Sequence, residues 1–121
     1  MIEVRVDELH AVARTVDGSM RLTLVGAADT SAEVALNELL GRLHGELQKP
    51  GGRGVVVDMH GLTAMNSSCF KSFITWIVAV RRLPEDQRYR IRFRPNAAMD
   101  WQMRSLQAIL HFGGDLVSIE N

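Results

Sequence analysis

The sequence predicts a single α/β domain with a mixed, mostly parallel sheet of about five strands and helices mainly on one face. Three observations carry that expectation. Segments of period two and segments of period three to four alternate along the chain in the order ββαβαβαβ. Such an alternation implies parallel pairing of the later strands through right-handed crossovers. In the run Arg88–Arg94, RYRIRFR, Tyr89, Ile91 and Phe93 face one way and Arg88, Arg90, Arg92 and Arg94 the other. One side of the sheet is therefore open to water, and the helices belong on the other.

Length and composition set the bounds. At 121 residues the chain holds one domain, 1–121, with one core. It is 46% hydrophobic and 23% charged, the balance of a packed globular protein. The formal net charge is zero, so no overall field recruits nucleic acid or an anionic membrane. One cysteine excludes an internal disulfide, and with no signal peptide in the sequence the cytoplasm is the expected location. The longest apolar run, Phe73–Val80, falls far short of the roughly 20 residues of a membrane span. His10, His44, His60 and His111 show no metal-ligand spacing, so neither a metal nor another cofactor is expected.

Taken in order, Ile2–Val16 alternates weakly and predicts one strand around Ala11–Val16. Asp17-Gly18 is a hairpin signal, with Met20–Val25 as the returning strand. Thr30 and Glu33 stand in capping-box spacing, so a helix is expected from about Ser31, with Leu36, Leu39, Leu40, Leu43 and Leu47 as its stripe and Pro50-Gly51-Gly52 as its stop. Val55-Val56-Val57 is β-branched throughout and bounded by Gly54 and Gly61, the pattern of a buried strand. From Ser67 a second helix is expected, with Phe70, Phe73, Ile74 and Ile77 on one side. Pro84, Glu85 and Asp86 make a loop before the arginine strand. Pro95-Asn96 then starts a third helix with the stripe Met99, Met103, Leu106 and Leu110; Gly113-Gly114 ends it, and Leu116–Ile119 reads as a last short strand.

The chemistry concentrates where the second helix begins. Asn66 is a good N-cap, which puts Ser67 and Ser68 in the first turn. Free backbone N–H groups and the positive end of the helix dipole favour an oxyanion there, including a phosphate carried by one of these hydroxyls. The plain alternative is a helix cap and nothing more. Cys69 follows in the same turn, where a thiolate would be favoured, against its reading as a small buried residue.

The run Asp58–Phe73, DMHGLTAMNSSCFKSF, resembles the signature of STAS domains, the anti-sigma factor antagonist fold: an apolar strand, a short turn, then Asp-Ser-Ser/Thr-Gly opening a helix. Here Asn66 takes the first of those four positions and Cys69 the last, and Gly26 and Asp29 before the first helix agree with the family's order of elements. The resemblance implies a non-enzymatic bacterial switch in signal transduction and transcription regulation. Ser67 would be its phosphorylated residue, marked by a serine kinase-like partner and restored by a phosphatase. It would dock an anti-sigma factor or that kinase through Asp29, Thr63, Met65, Asn66, Ser68, Cys69 and Lys71. Asn66 removes a carboxylate that would repel a phosphate on Ser67. Divergent relatives resembling regulators of cyclic-dinucleotide synthesis also read Asn there. The departures thus leave two alternatives open, a regulator of a partner such as a cyclic-dinucleotide synthase and a scaffold of the same fold that has lost the switch.

Three further features bear on function. Trp101 lies nearly opposite the stripe of the third helix, with Ala108 and Phe112, which marks either a secondary interface, including a homodimer contact, or a patch covered by the loop after Gly26 or by the C-terminus. The arginine row has no aromatic interleaving and reads as a solvated face, not a nucleic-acid site. Cys69 and His60 have no oriented third group, which argues against nucleophilic catalysis.

Overall fold

Two strands occupy the segment in which one was expected: β1, Ile2–Val6, and β2, Leu9–Val16. The computed structural model describes residues 1–49 and 54–120. β1 and β2 pair antiparallel from Ile2↔Ala13 to Val6↔Leu9, which leaves Asp7 and Glu8 as the turn, with Asp7 at φ 51°. Aspartate tolerates that left-handed conformation, but Asp-Glu carries none of the turn signal of Asp-Gly. β1 is also an edge strand whose apolar residues are only half-buried. β3, Ser19–Ala28, returns across Asp17 and Gly18, both at positive φ (52° and 82°) as a two-residue hairpin turn of the primed kind demands.

From there the chain alternates. α1 spans Glu33–Leu47, β4 Val55–Met65, α2 Ser67–Arg81, β5 Ile91–Arg94, α3 Asp100–Gly113 and β6 Val117–Ile119. Among the described residues the sheet has six strands in sequential order, with β3 to β6 parallel. Sequential parallel strands joined by crossovers of one hand put every crossover helix on the same face. Burial agrees: Leu9, Ala11, Ala13, Leu22, Leu24, Val55, Val57, Met59, Ile91 and Phe93 are buried under the helices, while Arg14, Arg92 and Arg94 are exposed on the other side.

All five leucines of the α1 stripe are buried, each contributing about 2 kcal/mol. The expected stop at Pro50-Gly51-Gly52 lies outside the described residues. At the other end the cap differs from expectation. Asp29, not Thr30, accepts from the Ser31 backbone N–H, and a turn of 3-10 helix, Thr30–Ala32, precedes α1.

The α2 stripe is rotated from the expected one. Cys69, Ser72, Phe73, Trp76, Ile77 and Val80 are buried, whereas Phe70 and Ile74 only flank the core. The indole outweighs the smaller side chains because burying it removes the most apolar surface. Trp76 Nε1–H donates to Tyr89 Oη at 2.7 Å, and that oxygen lies 2.7 Å from His44 Nδ1. An indole can only donate, so the phenol oxygen accepts from Trp76, and the same hydroxyl shares a hydrogen bond with the His44 imidazole. Burial pushes the His44 pKa down and that of Tyr89 well above its ordinary value.

α3 departs furthest. It begins at Asp100, not at Pro95-Asn96, and its buried residues are Gln102, Leu106, Ile109 and Gly113; of the expected stripe Leu106 is buried, whereas Met99, Met103 and Leu110 are half-buried. Gln102 is fully buried because it satisfies the bulged middle of β4: Nε2–H donates to the carbonyls of Met59 (2.7 Å) and Leu62 (2.8 Å), and Oε1 accepts from Asn96 N–H (2.7 Å). β5 is shorter than the arginine run, since Arg88–Arg90 precede the pairing, although Tyr89 keeps the inward alternation.

Candidate functional site

The site is built by an unusually long β4. A strand at Val55–Val57, bounded by Gly61, was expected to be followed by a short turn before α2; instead β4 pairs with β3 up to Ala28↔Met65. It does so by skipping register between Thr23 and Val25 and between Gly26 and Ala27, which bulges β4 at Met59-His60 and again at Thr63. Bulges twist and re-aim a strand end, and both strands therefore finish together at one corner of the sheet. Thr63 is exposed and its hydroxyl donates to the Gly26 carbonyl at 3.0 Å, tying the second bulge to β3.

Gly26 lets the N-terminal hairpin reach the same corner. It sits at φ 95°, and a Cβ there would lie 1.8 Å from the Glu8 carbonyl oxygen. Only glycine permits that approach. It brings Asp7 against the start of the 3-10 turn, where the Ser31 hydroxyl contacts the carboxylates of both Asp7 and Asp29 (2.5 Å to Asp29 Oδ1). Sequence reasoning missed Asp7, Thr30 and Ser31, because no local pattern connects a hairpin turn to a segment more than twenty residues on.

Asn66 closes the corner. Its backbone N–H donates to the Ala28 carbonyl at 2.9 Å, its Oδ1 accepts from Cys69 N–H (3.1 Å) and from the Ser68 hydroxyl (2.8 Å), and its Nδ2–H donates to Thr30 Oγ at 2.6 Å. A carboxylate at this position would have to accept from Thr30 instead and would place a negative charge beside Ser67. The amide does the same structural work without the charge.

Ser67, the first residue of α2, is exposed, and among the described residues its hydroxyl has no hydrogen-bond partner. Ser68 is half-buried and engaged with Asn66. Asp29, Thr63 and Lys71 are exposed, and Met65 and Asn66 half-buried, so all reach the surface around Ser67. Cys69 does not. It is fully buried, and its thiol donates to the Asp29 carbonyl at 3.2 Å. Burial first, then the nearby Glu33 and Asp29 carboxylates, push its pKa up, with a smaller opposing pull from Ser68. Of the two readings of Cys69 the structure has the small buried residue, a core thiol packed beneath the surface around Ser67, since desolvation outweighs the helix terminus. His60 is exposed and its backbone is tied to Asp58 and Asn96.

Trp101 is likewise not opposite the core. It is half-buried against it, with its indole N–H enclosed and unpartnered among the described residues, while Phe112 is left 52% exposed. The α3 wheel turned toward Gln102, and Trp101 turned inward with it. No described helix is long and apolar enough to cross a membrane, and no three metal-ligating side chains come together among the described residues.

No protein-family model and no curated protein matches this sequence. The fold does have solved counterparts. It is similar to that of an anti-sigma factor antagonist from Mycobacterium paratuberculosis, with a TM-score of 0.67 over 93% of this chain and 86% of that one, at 13% sequence identity. The chain therefore has the STAS-type fold that the Asp58–Phe73 run resembles.

Proposed function

We propose that the chain is a non-enzymatic, protein-binding regulatory switch of the bacterial cytoplasm, working as an anti-sigma factor antagonist does. Unmodified, it docks an anti-sigma factor or a serine kinase-like protein through the corner formed by Asp29, Thr63, Met65, Asn66, Ser68 and the exposed side of α2 at Lys71. Phosphorylation of Ser67 by that kinase places close to two negative charges in the contact, and a phosphatase removes them. The observation that carries this reading is the contrast within the first turn of α2. Ser67 alone offers a hydroxyl that is exposed and unengaged, while its neighbours Asn66, Ser68 and Cys69 are all spoken for. The neutral Asn66 cap leaves room for a phosphate without a facing carboxylate on the same turn.

The test uses wild-type and Ser67→Asp proteins as baits in a pull-down from the native cell, followed by affinity measurement with the captured partner. At least tenfold weaker binding by Ser67→Asp, with an unchanged unfolding curve, supports the switch; equal binding by both removes it. Equal binding would favour the reading that Asn66 motivates, a STAS-type scaffold that has lost its switch. If the captured partner were a cyclic-dinucleotide synthase, the switch would act outside sigma-factor control.

A further inference from the structure

We infer that the open face of the sheet carries a second site, independent of the Ser67 corner, which binds a phosphate group: inorganic phosphate or the terminal phosphate of a small phosphomonoester. The register aligns Arg14, Arg21, Val56, Arg92 and Ser118 in one row across five strands, all on the face without helices. Strands lie about 4.8 Å apart, so the α-carbons of Arg21 and Arg92 are about 10 Å apart across Val56, and two extended guanidinium arms can meet over the valine. Beside this row is a cavity of about 190 Å³ lined by Ser19, Gly54, Val55, Val56, Arg90, Arg92 and Ser118. Gly54, at φ 95°, lets the start of β4 press against Arg90: a Cβ there would lie 2.5 Å from the Arg90 carbonyl oxygen.

The charges in this region are unanswered. Among the described residues, Arg14, Arg21, Arg90 and Arg92 make no side-chain hydrogen bond and no ion pair; Asp58 in the adjoining row serves Arg94, at 3.9 Å. Arg14 stands directly across from Arg21, a like-charge pairing that destabilises the sheet. A dianion reverses the sign of that term. The donors lining the cavity, the guanidinium groups of Arg90 and Arg92 and the hydroxyls of Ser19 and Ser118, outnumber what the two oxygens of a carboxylate can accept, and they suit the three or four oxygens of a phosphate. The cavity takes a group of that size, and no aromatic side chain lines it on which a base could stack, which disfavours single-stranded nucleic acid.

The experiment titrates the full chain with inorganic phosphate and with glycerol phosphate at constant ionic strength, against chloride, with arginine side-chain resonances as the readout. The expected result is saturable binding that weakens at least tenfold in Arg92→Gln and is unchanged in Arg104→Gln, an exposed arginine on α3. Tighter binding of glycerol phosphate identifies a phosphomonoester as the ligand, and equal binding identifies the free ion. Should Arg92→Gln fail to fold, Ser118→Asp, which puts a carboxylate into the cavity, is expected to abolish binding. A non-saturating response, identical behaviour of wild type and Arg92→Gln (or, in its place, Ser118→Asp), or binding confined to single-stranded DNA overturns the site.

Discussion

The N-termini of α2 and α3 solve one problem in opposite ways. Both must satisfy backbone groups near a strand end of the same sheet. At α2 the preceding residue does it: Asn66 caps from outside the helix, and the first helical residue, Ser67, is left facing water. At α3 no side chain caps the helix; instead Gln102, inside the first turn, is buried and reaches back to β4, its amide also meets the Met99 sulfur, and Trp101 packs against the core. The first arrangement exposes chemistry at little structural cost, and the second spends the helix start on holding the sheet.

That contrast is sharpest at Gln102. Gln102→Leu keeps the volume but leaves the Met59 and Leu62 carbonyls and the Asn96 N–H without partners, so about 3 kcal/mol of stability should be lost. Urea unfolding would then show a lower midpoint with an unchanged slope; wild-type behaviour would mean water reaches these groups. Asn66→Ala should cost less, about 1 kcal/mol, the usual worth of an N-cap side chain. A loss as large as that of Gln102→Leu would erase the distinction between the two termini.

The smallest effect concerns the far end of α2, where Trp76, Tyr89 and His44 join the helix to α1. His44 has its pKa lowered from 6.5 by burial, so the folded state favours the neutral ring. The stability it contributes is whole above 6.5 and is lost as pH falls through the lower, folded value. Unfolding midpoints measured downward from neutral pH should drop less steeply in His44→Gln than in wild type. Parallel curves would show that the ring is hydrated in the native state.

Much of this architecture was legible. The α1 leucines, the Asp17-Gly18 turn and the arginine alternation each repeat a local period that tertiary structure left intact. What could not be read depended on distant partners. β1 is an edge strand closed by an undistinguished turn, β4 continues through two bulges because β3 runs beside it, and α3 rotates because a polar side chain is needed under the bulge. The site divides in the same way. Asn66 and Ser67 were visible as cap and first turn, whereas Asp7, Thr30 and Ser31 join them only through Gly26 and the closed sheet.

The amide of Asn66 spans positions 36 apart in sequence, since it holds Thr30 while it opens α2. A helix of fifteen residues is marginal by itself in water, so its first turn gains definition only after the third strand has come alongside the fourth. Ser67 is therefore displayed by the finished molecule and not by a nascent one. The geometry around Ser67 thus belongs to the closed sheet as a whole and not to α2 by itself.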